Sequence, residues 1–213
     1  MIGIAGLFAL AAASAGAGPA VPVEIACART GGPVTFTVTS ERGDLQFEIA
    51  YPKTVASYLG GFLHGAKKTS ADVKFYLDLD GNPKTGMTGD PTFAPGSAGS
   101  EFSIETQEVE TSVGRGAAGE WVQKPVLMVM VQKQDDFFDL PGGVSPTWEM
   151  ESGGRWQPID WMNVPDSRHM RLAVPWSAVG GKGGSKVRVT AVVPICHDAF
   201  PFPGTAETTV VLR

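Results

Sequence analysis

The stretch Asp72–Ile104, DVKFYLDLDGNPKTGMTGDPTFAPGSAGSEFSI, decides how the rest of the chain is read. It opens as a strand in which Val73, Phe75 and Leu77 alternate with polar or amphipathic neighbours, the period of a chain with one face in a core. It breaks at Asp78-Leu79-Asp80-Gly81-Asn82-Pro83, runs through a Gly/Pro-rich loop, and resumes as a strand at Glu101-Phe102-Ser103-Ile104. Asp78, Asp80 and Asn82 place oxygen-bearing side chains at alternate positions, and Glu101 or Asp90 can reach them from the facing strand and loop. A calcium ion takes six to eight oxygens of this kind. The same spacing suits a β-turn whose Asp and Asn bond their own backbone, and the sequence leaves both readings open.

The pattern continues outward on both sides. Val34, Phe36 and Val38 alternate, Glu41-Arg42-Gly43-Asp44 reads as a turn, and Leu45, Phe47, Ile49 and Tyr51 alternate again, which predicts a hairpin with one buried face. From Thr54 the period changes: Val55, Tyr58, Leu59, Phe62 and Leu63 follow helical spacing, which predicts one short helix weakened by Gly60-Gly61. Downstream, Glu120–Gln132 (EWVQKPVLMVMVQ) has an apolar residue at nearly every central position, as a strand buried on both faces would. Two short strands flank Gly153-Gly154, a strand over Arg168–Pro175 ends in a single helical turn closed by Gly180, and strands over Lys186–Ile195 and Thr208–Leu212 complete the count at nine or ten. Short strands between turn signals, with no internal repeat and no linker, predict an all-β antiparallel sandwich in one domain, residues 21–213.

Composition narrows the function classes. The chain has 213 residues and a net charge of −5, with no basic cluster larger than Lys67-Lys68, so nucleic acid is not an expected partner. Residues 1–20 carry no charged side chain, and an apolar run from Ile2 to Ala13 precedes small residues; this reads as a signal peptide, placing the protein in the periplasm or outside the cell. The run is too short to span a bilayer, and no integral membrane segment is expected after cleavage. In an exported protein the two cysteines, Cys27 and Cys196, suggest a disulfide, the alternative being two separate buried thiols.

Three segments resemble a known family: Phe75-Tyr76-Leu77-Asp78-Leu79-Asp80-Gly81-Asn82-Pro83 with Thr85-Gly86 behind it, Ser100-Glu101-Phe102-Ser103-Ile104, and Leu172-Ala173-Val174-Pro175-Trp176-Ser177-Ala178-Val179-Gly180. Together they resemble the DOMON-like sandwich superfamily and, within it, the family-nine carbohydrate-binding modules. The resemblance implies a jelly-roll-like β-sandwich, export, a ligand at one face or end, and a structural calcium. Some members hold sugars between aromatic rings and others a b-type haem. For a carbohydrate or other small ligand, Trp156 and Trp161 are the candidate platforms, with Asp160 and Asn163 as polar partners; covering the ends of the sandwich is the competing role for such rings. Haem would need axial ligands, and His64, His169, His197, Met128 and Met130 are the residues available, but methionines in a row on a strand are usually core filler, so haem is not expected. Nucleophile elbows, zincin motifs, phosphate loops and dinucleotide fingerprints are all missing, and Asp135, Asp136 and Asp139 read as a solvated acidic loop. The chain therefore reads as a binding domain and not an enzyme, the remaining alternatives being a haem-binding redox subunit and an envelope interaction domain without a small ligand.

Overall fold

A computed structural model describes residues 22–27, 31–58, 73–89, 96–119, 121–133, 136–137, 147–158, 167–193 and 204–213, with backbone alone for 106–114, 121–133, 136–137 and 147–148. In chain order the strands are β1 (Val23–Ile25), β2 (Val34–Glu41), β3 (Asp44–Ala50), β4 (Lys74–Asp78), β5 (Phe102–Arg115), β6 (Trp121–Lys133), β7 (Asp136–Phe137), β8 (Thr147–Ser152), β9 (Arg155–Pro158), β10 (His169–Pro175), β11 (Lys186–Val193) and β12 (Gly204–Val211). They form two six-stranded sheets, ordered β1-β2-β3-β10-β8-β9 and β12-β11-β4-β5-β6-β7, antiparallel at every pairing. The chain crosses from the first sheet to the second after β3 and again after β10. Because Ala50 pairs with His169 and Asp44 with Pro175, these crossings leave opposite ends of the first sheet.

The alternation read from the sequence produces the core. Val34 and Phe36 of β2, Leu45, Phe47 and Ile49 of β3, and Met170, Leu172 and Val174 of β10 are all buried, while their odd-numbered or even-numbered neighbours turn outward. The second sheet answers with Phe75 and Leu77 of β4, Ile104 of β5, and Val187, Val189, Ala191 and Val193 of β11. Phe75 joins the layers: its ring meets Phe47 at 4.6 Å and the edge of Phe36 at 5.8 Å. Burying one such ring stabilises the fold by about 2–3 kcal/mol, and the offset geometry adds to that. The sheets also approach at one edge, where the Arg213 N–H donates to Ser40 Oγ at 2.9 Å.

Turn chemistry sets the registers. Arg42 (φ +54) and Gly43 (φ +90) form the two-residue turn between β2 and β3, and Gly153-Gly154 form the equivalent turn between β8 and β9, both residues again with positive φ. After β10, Gly180 (φ +80) closes the turn that the sequence predicts, with the Gly181 N–H on the Trp176 carbonyl at 2.8 Å. The buried Trp176 indole N–H has no acceptor among the described residues, a cost of about 1–3 kcal/mol that the packing of its ring against the core offsets.

Four expectations need correction or restriction. Twelve strands lie among the described residues. The expected helix is, in its described part, one 3₁₀ turn over Val55–Ser57: the Val55 N–H goes to the Ser167 carbonyl and Tyr58 buries its side chain, so the segment is tied to the sandwich end from its first residue. Residues 59–63 of that pattern lie outside the described residues. β6 pairs with β5 well past the last partner of β4, so Thr106–Arg115 and Trp121–Val129 run as a two-stranded ribbon among the described residues; the expected burial of β6 side chains on both faces lies outside them. Cys27 is buried after β1 and is not a free thiol, but Cys196, like residues 1–20, lies outside the described residues.

Two predictions follow from local chemistry. Arg42 is the only described residue other than glycine with positive φ, a conformation that costs a side chain about 1 kcal/mol; Arg42→Asn should raise stability by up to about that amount in urea unfolding, and a loss would refute the turn assignment. The second concerns alkali. Burial pushes the Tyr58 hydroxyl above its ordinary pKa, despite the Lys53 N–H that it accepts at 3.2 Å and nearby Arg168. Burial opposes the Lys74 ammonium, but the bond to Glu105 at 2.7 Å and the neighbouring Tyr76 outweigh it, and its pKa is also raised. Both groups hold their protons more tightly when folded, so their contribution is intact below about pH 10 and is lost as pH rises through the folded values. Unfolding free energy should fall between pH 10 and 11 and fall less in Tyr58→Phe; a flat profile would count against the buried pair.

A candidate cation-binding corner

The inward residues of β4 belong to the core, but its outward residues are buried too: Tyr76 is 5% exposed and Asp78 only 3%. The chain after β4 causes this. Met87 packs with Tyr76 and Val192 on the outer face of the second sheet, and Gly96 lies against Thr190. Gly86 permits the fold-back: a Cβ there would sit 2.3 Å from the Ser100 carbonyl oxygen, the same oxygen that accepts the Met87 N–H at 2.8 Å. A buried carboxylate must then find donors. Asp78 Oδ1 accepts the Gly81 N–H at 2.6 Å, and Oδ2 accepts Arg188 Nε at 3.0 Å and Nη2 at 2.8 Å. Arg188 is presented directly across from Asp78 by the β4–β11 register, and its Nη2 also donates to the Ala98 carbonyl at 3.1 Å.

The turn itself follows the self-bonded pattern. The Asn82 N–H donates to Asp80 Oδ1 at 2.7 Å and the Lys84 N–H to Asn82 Oδ1 at 3.1 Å. Yet oxygens also converge. Carboxylate oxygens of Asp78, Asp80 and Glu101 lie within 4.8 Å of one another. Glu101 is held by the Leu79 N–H on Oε2 at 2.7 Å, which leaves Oε1 facing Thr85. Thr85 Oγ1 has Asp80 Oδ1 and Oδ2 at 3.1 and 3.0 Å, the Asn82 carbonyl at 2.8 Å and Glu101 Oε1 at 3.3 Å. One hydroxyl proton cannot satisfy these acceptors together. Three carboxylates against the single guanidinium of Arg188 leave two negative charges, the complement of a divalent cation. The donor set of carboxylates, carbonyl and hydroxyl is all hard oxygen and suits calcium. Asn82 enters this set through its carbonyl, since its side-chain oxygen is engaged by Lys84.

Of the other ligand-site and haem candidates, the side chains of Trp156 and His169 are among the described residues. Trp156 lies on β9 with the Arg171 guanidinium 4.6 Å from its ring centroid; that guanidinium also bonds Glu149. One face of the expected sugar platform therefore carries a cation. Asp90, Trp161, Asp160 and Asn163 lie outside the described residues, as do His64, His197 and the side chains of Met128 and Met130. His169 is exposed, with Nδ1 3.6 Å from Glu151. Sequence reading missed Arg188 and Thr85. The alternation of β11 puts Arg188 on the outward face, but nothing local pairs it with a residue 110 positions away.

No protein-family model, curated protein or solved structure matches this chain.

Asp78 is nearly fully buried and Arg188 about one-third exposed, so breaking the pair from the arginine side strands a buried charge. Arg188→Met should destabilise the protein by about 3 kcal/mol, and Asp78→Asn in the same chain should recover part of it. Strict additivity in a double-mutant cycle by urea unfolding would show that the two groups do not interact.

Proposed function

We propose that this chain is a non-catalytic β-sandwich binding domain of an exported protein, for a carbohydrate or similar small ligand, with a structural calcium ion at the Asp78–Glu101 corner. The convergence of Asp78, Asp80 and Glu101 oxygens around Thr85 carries the metal reading. The ion would fasten the segment that covers Tyr76 and Asp78, with Asp80, Glu101 and the Asn82 carbonyl as its principal ligands. The ligand reading is supported by the DOMON-like resemblance, whose three motif segments fall on β4 and its turn, the start of β5, and β10 with its turn. A Cys27–Cys196 bridge belongs to the same reading; it would tie β1 to the segment after β11 and stabilise by about 3–5 kcal/mol.

Thermal unfolding in calcium and in chelator tests the metal. At a calcium concentration a hundredfold above Kd the gain is about 2.7 kcal/mol, a rise in Tm of roughly 5–10 °C for a chain of this size. Asp80→Asn with Glu101→Gln should abolish the rise while leaving the chelated protein at least as stable, because repulsion is relieved. Superimposable curves in calcium and chelator would refute the site.

A further inference from the structure

The turn that carries Asp78 has a second side. There Asp78, Gly81 and Pro83 form one wall of a depression of about 360 Å³, closed by Lys186 and Arg188 of β11 and Thr209 of β12. Lys186 and Arg188 are two apart on one strand and so share its outer face, and Thr209 is the cross-strand partner of Arg188. The volume is at the lower end for small-molecule sites. We propose that this depression is the ligand site of the domain and that it takes an acidic sugar, one that carries a carboxylate on a pyranose ring.

Charge and shape together select that class. Arg188 is neutralised by Asp78 and faces Glu207 at 3.5 Å. Lys186 is exposed, and it supplies the one positive charge of the lining that Asp78 does not balance. Counted with Glu207 the site carries no surplus charge; the Lys186 ammonium offers a single charge-assisted contact, which suits a monoanionic carboxylate better than a dianionic phosphate. The Thr209 hydroxyl donates or accepts as ring hydroxyls require. Pro83 offers an apolar flank for the C–H face of a sugar. Val211, the cross-strand partner of Lys186, stands on the same outer face of the sheet and, at 41% exposure, is the most exposed large apolar residue described. Gly81 has open space where a Cβ would stand, so the ligand can approach the backbone there. At Trp156, by contrast, Arg171 already covers one face of the ring.

This site rests on the reading of the chain as a carbohydrate-binding domain, and the experiment separates the two. Binding of D-glucuronic acid and of D-glucose, which differ only in the carboxylate, is measured on the full chain by ligand-observed NMR and calorimetry in calcium. Glucuronate should bind at least about tenfold more tightly than glucose, as a charge-assisted contact requires, and the preference should shrink with added salt. Lys186→Met should remove the preference, and Thr209→Val should weaken glucuronate about threefold; both positions are exposed, and unchanged melting curves would establish that the variants fold. Neutral-sugar binding that ignores Lys186→Met would overturn this site and keep the carbohydrate reading. Failure of every sugar, acidic or neutral, would overturn both.

Discussion

The burial of β4 on both faces is the constraint from which the rest follows. A strand in a two-layer sandwich ordinarily shows one face to the core and the other to water. Here Phe75 and Leu77 fill the core while Tyr76 and Asp78 are covered by the chain that leaves the strand. Covering Tyr76 is favourable by itself. Covering Asp78 is not, unless the carboxylate is supplied with donors, and the fold supplies them from its own turn and from the adjacent strand. Arg188 then does double duty, since the hand that neutralises Asp78 also holds the Ala98 carbonyl of the covering segment. The corner is thus a consequence of covering a strand, and its acidity is what remains after one arginine has been spent on three carboxylates.

The two sides of the Asp78–Pro83 turn have opposite electrical character. Toward Glu101 and Thr85, oxygens crowd with too few protons among them. Toward β11 and β12, the lining sets the Lys186 ammonium and the Thr209 hydroxyl beside the Asp78–Arg188 pair. Asp78 stands between, its two oxygens directed to the turn amide and to Arg188. A cation on the first side would fix the wall of the second without touching what binds there. On the proposed reading, metal and ligand are therefore neighbours coupled through one turn and not partners in one coordination sphere.

Much of the fold was legible because strands write their facing into a two-residue period. The alternations in β2, β3 and β4 identified core-facing residues, though Val38 is only partly buried and the off-phase Tyr76 and Asp78 are buried as well, and Gly153-Gly154 and Gly180 marked turns whose φ only glycine adopts cheaply. The acidic corner was legible because two of its carboxylates and the Asn82 carbonyl lie within five residues. What was not legible depends on pairing across the sheet. Arg188 reads as any outward basic residue until β11 is placed beside β4. The described part of the helix period from Val55 is a 3₁₀ turn whose first amide is held by Ser167, far along the chain. The Trp156 ring looked like a free platform because its neighbour Arg171 belongs to β10, two strands away in the first sheet.

The span of the Asp78–Arg188 contact has a kinetic side. The two residues are 110 positions apart, and they meet only once β4 and β11 have found each other across everything between. Closing so long a loop is slow and is rewarded only when the sheet is nearly built. We expect the covering segment, anchored on Arg188, to lock after the barrier to folding has been crossed. Interactions absent from the transition state act on the reverse step alone. Whatever fastens this corner sets how long the folded protein survives, and leaves the time it needs to form unchanged.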